Sequence, residues 1–199
     1  MKQQIIFAAL AMSLAACGTS TKITNSWRDP SVTINPAGLR KFVVAALMKN
    51  EATRRKAEDK MAALYPEKAV QSYSIFGMSE LKENDDFYNQ KLKSDGYDGI
   101  VVMRFVKTTE STRYVPGAYP VYYGSWRGYW RNAWAGYYDP GFYTTDKTYV
   151  TEVNVYSLDR DKMLWSGTTS TVDPGGSDAL YDGVIKAVMK KMKEEHFIL

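Results

Sequence analysis

The sequence contains one cysteine and one histidine, and this scarcity excludes several kinds of active site. Cys17 has no second cysteine in its chain to pair with, so an intrachain disulfide cannot form. His196 lies near the C-terminus in a lysine-rich stretch, so a nucleophilic serine or cysteine has no histidine base in the body of the chain. These two residues are also too few for a transition-metal cluster. We therefore predict no metal site, no cofactor and no nucleophilic catalysis.

Phosphate- and dinucleotide-binding motifs are also missing, since the chain has no P-loop, no G-x-G-x-x-G and no H-E-x-x-H. Paired carboxylates remain, because glycoside hydrolysis needs only two of them. Asp85 and Asp86 stand at the start of a predicted helix, where the helix dipole favours negative charge. Asp139 belongs to an Asp-Pro-Gly turn signal. We interpret all three as structural and predict that the protein is not an enzyme.

The chain lacks an apolar run long enough to span a bilayer. Its longest uncharged run at the N-terminus, from Ile5 to Ala16, has 12 residues and follows Lys2, which is the layout of a secretory signal peptide. The run ends in "LAAC", which resembles the lipobox of bacterial lipoproteins, where the cysteine is acylated after cleavage. We predict that residues 1–16 are removed and that Cys17 is the lipidated N-terminus.

The residue after the cysteine bears on the location of the protein. In such lipoproteins an aspartate after the cysteine commonly signals retention in the inner membrane, whereas this chain has Gly18. The resemblance implies a protein anchored in the bacterial outer membrane, with residues 17–22 as a tether and a domain facing the periplasm. Because 26 basic residues only slightly exceed 22 acidic ones, we expect no nucleic-acid partner.

Hydrophobic periodicity predicts one α/β domain over residues 23–199, a mixed sheet covered by helices. Alternating or continuous apolar runs predict strands, and two amphipathic stretches with apolar residues three or four apart predict helices before the aromatic stretch. The predicted strands are "KITNSW", "RKFVVAALM", "KAVQSYSI", "DGIVVMRFV", "TYVTEVNVYSL" and "KMLWSGTTSTV", the last two forming an antiparallel hairpin. The first predicted helix is "NEATRRKAEDKMAALYP", with Asn50 as N-cap, an apolar stripe of Ala57, Met61, Leu64 and Tyr65, and Pro66 as its end. The others are Asp85–Ser94, ended by Gly96, and a C-terminal helix capped by Ser177.

The last helix and two tryptophans identify the expected core. Leu180, Val184, Val188 and Met192 recur every fourth residue and so fall on one face of the C-terminal helix. Trp165 lies in an alternating strand and is predicted to be buried. We expect Trp27 to pack near the edge of the sheet.

An insertion at residues 113–146, between the two halves of the sheet, contains most of the aromatic residues of interest. Residues 119–143 contain eleven aromatic rings. If each ring buries about 150 Å², together they represent on the order of 1,600 Å², well above the largest apolar patch of about 300–600 Å² on a typical monomer. We therefore expect most of these rings to be covered. The candidate binding residues are Trp126, Arg127, Tyr129, Trp130, Arg131, Trp134, Tyr137 and Tyr138.

Spacing within the insertion suggests how these residues are arranged. Trp126, Trp130 and Trp134 recur every fourth residue, so a short helix begun at Ser125 would place all three on one face. Arg127 and Arg131 would follow on a neighbouring face, where guanidinium groups can stack on rings or meet an anionic group.

Four interpretations of the rings stay open at this point. The rings can pack on one another and on the sheet. They can form a protein-binding surface, because Tyr, Trp and Arg dominate interface hot spots. They can stack on sugars of peptidoglycan or another glycan, or settle at the membrane interface beside the lipid anchor. The leading hypothesis is a non-enzymatic envelope interaction module, with a glycan- or peptidoglycan-binding module as the alternative; the oligomeric state is left open.

Several stretches, in order along the chain, are similar to those of a family of uncharacterised proteobacterial lipoproteins with a domain of unknown function. The matching stretches are "NSWRDP", "FVVAAL", "RRKAED", "VQSYSIF", "YDGIVVMRFV", "RYVPG", "TEVNVYSLDRDKMLWSG" and "STVDPGG". The resemblance implies a Tyr- and Gly-rich insertion of variable length and no agreed biochemical activity. Members of the family often have a glycine, a serine and Lys-Asp-Pro after the first buried strand, where this chain reads "AALMKNEA".

Overall fold

The computed structural model describes residues 20–32, 39–77, 85–117, 126–127 and 141–198. Within them the chain forms an α/β fold, as predicted. The strands are β1 (Ser20–Arg28), β2 (Phe42–Leu47), β3 (Ala69–Gln71), β4 (Gly99–Val115), β5 (Phe142–Ser157) and β6 (Lys162–Val172). The helices are α1 (Glu51–Ala62), α2 (Asp85–Ser94) and α3 (Ser177–Glu194), with a short 3₁₀ helix at Ser72–Ser74.

The six strands form one open mixed sheet in the order β1-β6-β5-β4-β2-β3. Strand β2 runs parallel to both β3 and β4, as expected when helices cross over between the strands, whereas β1 is antiparallel to β6. The chain divides into two compact units, the first formed by residues 1–107 and 149–199 and the second by residues 108–148. The predicted insertion, residues 113–146, lies within the second unit.

The first unit buries both faces of its sheet at β2. Val44 and Ala46 pack into a large core with residues of α1 and α3, whereas Val43 belongs to a second cluster that contains Leu92 of α2 and Tyr97. Successive side chains of a strand point to opposite faces, so the continuous apolar run of β2 serves both layers. The prediction of a strand buried on both faces is confirmed.

Helix α1 begins where its cap was predicted and ends earlier than expected. Asn50 Oδ1 accepts a hydrogen bond from the Thr53 N–H at 3.1 Å, which satisfies one of the free N–H groups of the first turn. The helix stops at Ala62, short of Pro66, and Leu64 of the predicted apolar stripe is exposed.

The predicted strand over residues 68–75 was wrong beyond Gln71, because a buried ion pair draws the next residues into a 3₁₀ turn. Glu58 accepts hydrogen bonds from Ser72 Oγ at 2.7 Å and from the Tyr73 N–H at 3.0 Å. Arg54 bonds the same carboxylate through Nε at 2.9 Å. Residues 72–74 meet this pair by leaving the extended conformation.

Helix α3 confirms its predicted apolar face, since Leu180, Val184, Val188 and Met192 are all buried. The predicted cap was wrong. Ser177 is the first helical residue, and the N-cap is Gly176, whose φ of +148° belongs to the region that favours glycine.

Trp165 and Trp27 lie where the sequence predicted. Trp165 is fully buried and donates from Nε1 to Glu195 Oε2 at 2.7 Å, so its polar atom is satisfied inside the core. Trp27 lies on β1, the edge strand, and is partly exposed. Strand β1 also includes residues 20–22, which were predicted to belong to the tether; the Thr21 and Thr171 hydroxyls are 2.9 Å apart there.

Candidate functional site

Two of the predicted binding residues, Trp126 and Arg127, are described, and both are exposed. They are helical, at the position where a short helix was predicted from Ser125. The Arg127 guanidinium carbon lies 5.6 Å from the centre of the Trp126 ring, within the range of a cation–π contact. The other predicted site residues, Cys17, Tyr129, Trp130, Arg131, Trp134, Tyr137 and Tyr138, lie outside the described residues, as does Asp139.

Two paired strand segments, residues 108–115 of β4 and 142–148 of β5, form what we call the ribbon of the second unit. As the residue number increases along β4, the number of the contacting residue on β5 decreases, as in an antiparallel pair. Lys147 Nζ lies 3.2 Å from Glu110 Oε1, and the hydroxyls of Thr112 and Thr145 are 3.0 Å apart. Such cross-strand pairs each contribute roughly 0.2–1 kcal/mol to a two-stranded ribbon.

Four aromatic side chains of the second unit are exposed, three on the ribbon or next to it in sequence and the fourth at Trp126. Tyr143 is 75% exposed, Trp126 71%, Phe142 62% and Tyr114 49%. At roughly 200 Å² for each side chain, these four leave on the order of 500 Å² of aromatic residue surface in contact with water. Tyr114 and Tyr143 contact each other, yet each of the four side chains keeps about half or more of its surface in contact with water.

The Tyr114 and Tyr143 rings contact each other without forming a flat surface. Their centres are 5.2 Å apart, and the planes are inclined at 53°. A tilted pair of this kind is a common edge-type packing of two aromatic rings. The two rings together therefore do not form one continuous flat face.

Gly141 allows the two ribbon strands to approach each other. Its φ is +81°, and a Cβ atom there would come within 2.5 Å of the Val115 carbonyl oxygen and 2.7 Å of the Gly117 nitrogen. Both neighbours are backbone atoms, which cannot turn away as a flexible side chain can. Gly141 therefore fixes the place where β5 enters the ribbon.

Lysine side chains line a groove between β1 and α3 in the first unit: Lys22, Lys186, Lys190 and Lys191. Glu194 is the acidic residue of the same groove, and it pairs with Lys190 at 3.7 Å. The groove thus has an excess of positive charge, and β1 begins three residues after Cys17.

In the part of the chain that the structure describes, the carboxyl groups whose pKa differs clearly from its usual value are all shifted downward. Hydrogen bonds from Lys162 and Ser31 lower the pKa of Asp29 to about 2. Burial opposes ionisation of Glu195, but hydrogen bonds from Ser26 and Trp165, together with Lys191, lower its pKa overall. These five carboxyl groups are therefore ionised at neutral pH.

None of the helices in the described ranges is long and apolar enough to cross a membrane.

No protein-family model matches the chain, and no curated protein matches it. Among solved structures, the chain is similar to a PelC dodecamer from Paraburkholderia phytofirmans, with 8% identity and a TM-score of 0.41 over 81% of this chain and 89% of that chain. It is also similar to the lipoprotein GNA1162 from Neisseria meningitidis, with 12% identity and a TM-score of 0.41 over 77% of this chain and 98% of that chain. Similarities this distant do not assign a function to the chain.

Proposed function

We propose that the protein is a non-enzymatic, lipid-anchored module of the bacterial outer membrane that binds an envelope protein through the aromatic side chains of its second unit. The observation that supports this most directly is the exposure of Tyr114, Trp126, Phe142 and Tyr143 in one unit. Tyrosine and tryptophan are residues that dominate protein-interface hot spots, and burying them excludes water from a binding surface.

The energetics of the ribbon favour a partner. Residues 108–114 are exposed in succession, so both faces of this strand segment contact water. The ribbon continues β4 and β5 of the six-stranded sheet, but two paired strands bury little apolar surface of their own. A bound protein that covered the rings would supply that burial and order the ribbon further.

A protein partner fits the described rings better than a glycan does. The inclined Tyr114 and Tyr143 rings do not provide one flat stacking surface, and the Arg127 guanidinium already lies beside the Trp126 ring. Binding to peptidoglycan or another glycan remains the second candidate, because Trp126 is exposed and a neighbouring arginine suits a sugar carboxylate.

The proposed anchor at Cys17 would hold the lysine groove close to the membrane. Three residues span at most about 10 Å of extended chain, so β1 would begin within roughly that distance of the acylated cysteine. Lys22, five residues after Cys17, would then lie within roughly 18 Å of the acylated cysteine, and the α3 lysines line the same groove. The assignment to the outer membrane rests on Gly18 after the cysteine. The proposed membership of the lipoprotein family rests on the matching sequence stretches, which occur in the same order along the chain.

Site-specific photocrosslinking in the cell envelope tests the proposal. A photoreactive amino acid at position 143 or 126 is expected to give a discrete protein adduct. The same probe at Phe87, an exposed ring on α2 of the first unit, is the matched control and is expected to give none. Absence of an adduct at both positions of the second unit, or equal adducts at all three positions, would contradict a protein partner that is specific to the second unit.

A sedimentation assay separates the glycan alternative. The chain is mixed with purified peptidoglycan sacculi, and Trp126→Ala is compared with Trp27→Ala on the edge strand of the first unit. Pelleting that is lost only in Trp126→Ala would replace the protein-binding proposal with a wall-binding module. Turnover of an envelope substrate that is lost on changing one carboxylate would instead show an enzyme.

A further inference from the structure

An apolar cavity of about 110 Å³ lies in the first unit, between the sheet and the helices α1 and α3. Residues of three strands and both helices line it. Those that the argument uses are Val44, Met61, Met103, Val155, Val188 and Met192. The cavity is therefore part of the main core and separate from the residues of the ribbon.

The size and lining of the cavity favour a hydrocarbon ligand. Protein cores normally pack without gaps larger than a water molecule. An apolar cavity of about 150 Å³ stays dry and binds benzene, because water inside it would find no hydrogen-bonding partners. The present cavity is of a similar order, and methionine side chains adapt easily to the shape of an apolar ligand.

Two polar side chains, Lys68 and Tyr65, belong to the lining where the chain passes from α1 to β3. Lys68 is the charged member of the described lining residues. Tyr65 packs its ring against Phe42 with centres 5.8 Å apart, and partial burial raises the pKa of its hydroxyl, which therefore stays protonated. An ammonium group and a phenolic hydroxyl suit a carboxylate headgroup.

We propose that this cavity binds the hydrocarbon chain of a fatty-acid-like amphiphile, whose carboxylate is held by Lys68 and Tyr65. The apolar lining selects a hydrocarbon chain, and the lysine selects an anionic head. The volume accommodates a benzene-sized portion of the chain, so the rest of the ligand extends beyond the cavity. This proposal uses residues of the first unit alone and does not depend on the function proposed for the ribbon.

Methionine methyl NMR with decanoate as the probe tests the proposal. The protein is the mature chain, residues 17–199, with Cys17→Ala so that it stays unacylated and keeps every described residue. Decanoate is expected to shift the methyl signals of Met61, Met103 and Met192 in a saturable way. Met163 on β6 is outside the lining of the cavity, and its signal is expected to stay unchanged. An absence of saturable shifts at the cavity methionines would overturn the proposal.

Two variants separate the apolar and polar parts of the site. Val188→Phe fills the cavity and is expected to abolish the shifts, whereas Val172→Phe makes the same exchange at an exposed position and is expected to leave binding unchanged. Lys68→Gln at the partly buried polar end is expected to weaken decanoate binding about threefold or more and to leave decanol binding unchanged. If Val188→Phe fails to fold, Lys68→Gln still tests whether the site recognises the carboxylate. Equal affinity of the native chain for decanoate and decanol would refute that recognition.

Discussion

Removal of the buried carboxylate of Glu58 is expected to destabilise the fold strongly. Glu58 is fully buried and accepts hydrogen bonds from Arg54 Nε at 2.9 Å and from the Ala46 N–H at 3.0 Å. It also accepts from Ser72 Oγ at 2.7 Å and the Tyr73 N–H at 3.0 Å. The substitution Glu58→Ala therefore leaves a buried guanidinium and two backbone N–H groups without this acceptor.

The magnitude follows from the kind of group left behind. Breaking a buried ion pair by removing one partner costs about 3–5 kcal/mol of unfolding free energy. The double variant Arg54→Met, Glu58→Leu removes both charges, but the Ala46 and Tyr73 N–H groups still lose their acceptor at about 1–3 kcal/mol each. We therefore expect the double variant to be less stable than the native chain and less destabilised than the sum of the two single variants.

Urea denaturation followed by tryptophan fluorescence measures these free energies, since Trp165 is fully buried in the same core. The control is Lys91→Gln, which removes an ion pair with Asp95 at the same i,i+4 spacing on the surface of α2. It is expected to cost far less than Glu58→Ala, because solvent screens an exposed ion pair. A loss below about 1 kcal/mol for Glu58→Ala, or strictly additive single variants, would refute the view that this buried pair organises the fold.

Two further predictions concern an acid-sensitive ion pair and the entry to the ribbon. Because the pKa of Asp29 is about 2 in the folded chain and near 3.8 otherwise, its pairing with Lys162 stabilises the fold above pH 4, and this contribution is lost as the pH falls from about 4 to 2. Asp29→Asn should flatten the dependence of unfolding free energy on pH in that window, and an unchanged slope would contradict the assignment. Gly141→Ala should make residues 108–148 several-fold more susceptible to limited proteolysis, because its Cβ meets backbone atoms at 2.5–2.7 Å. Gly175→Ala, which meets nothing within 4 Å, is the control, and equal cleavage of the two variants would argue against a tight strand approach at Gly141.

Much of the first unit could be predicted from local sequence patterns. The apolar run of β2 required burial on both faces, and the four-residue spacing from Leu180 to Met192 required one buried face of α3. The cap at Asn50 and the positive φ of +80° at Gly96 also follow from the residue type at a single position. Such features depend on residues a few positions apart, so contacts with distant parts of the chain did not alter them.

Two of the errors came from contacts between residues that are distant in the sequence, whereas the cap of α3 was misplaced by one residue within a local pattern. Ser72 and Tyr73 were predicted to continue the strand. Hydrogen bonds to Glu58, which lies fourteen positions before Ser72, instead hold them in a 3₁₀ turn. Residues 20–22 were predicted to belong to the tether. They instead pair with β6, about 150 positions away, with Thr171 opposite Thr21. Neither pairing leaves a local pattern in the sequence.

The sequence by itself determined the composition of a candidate site, including the cluster of rings at residues 119–143 and the neighbouring arginines. Only the tertiary structure decided which described rings are exposed, because exposure depends on what packs against them. The same holds for the cavity: the sequence placed Met61, Val188 and Met192 on apolar helix faces, but a gap between those faces and the sheet depends on how the elements pack. Local propensity and periodicity therefore specified elements and faces, whereas the strand order, the burial of the Arg54–Glu58 pair and the cavity arose from packing over long sequence distances.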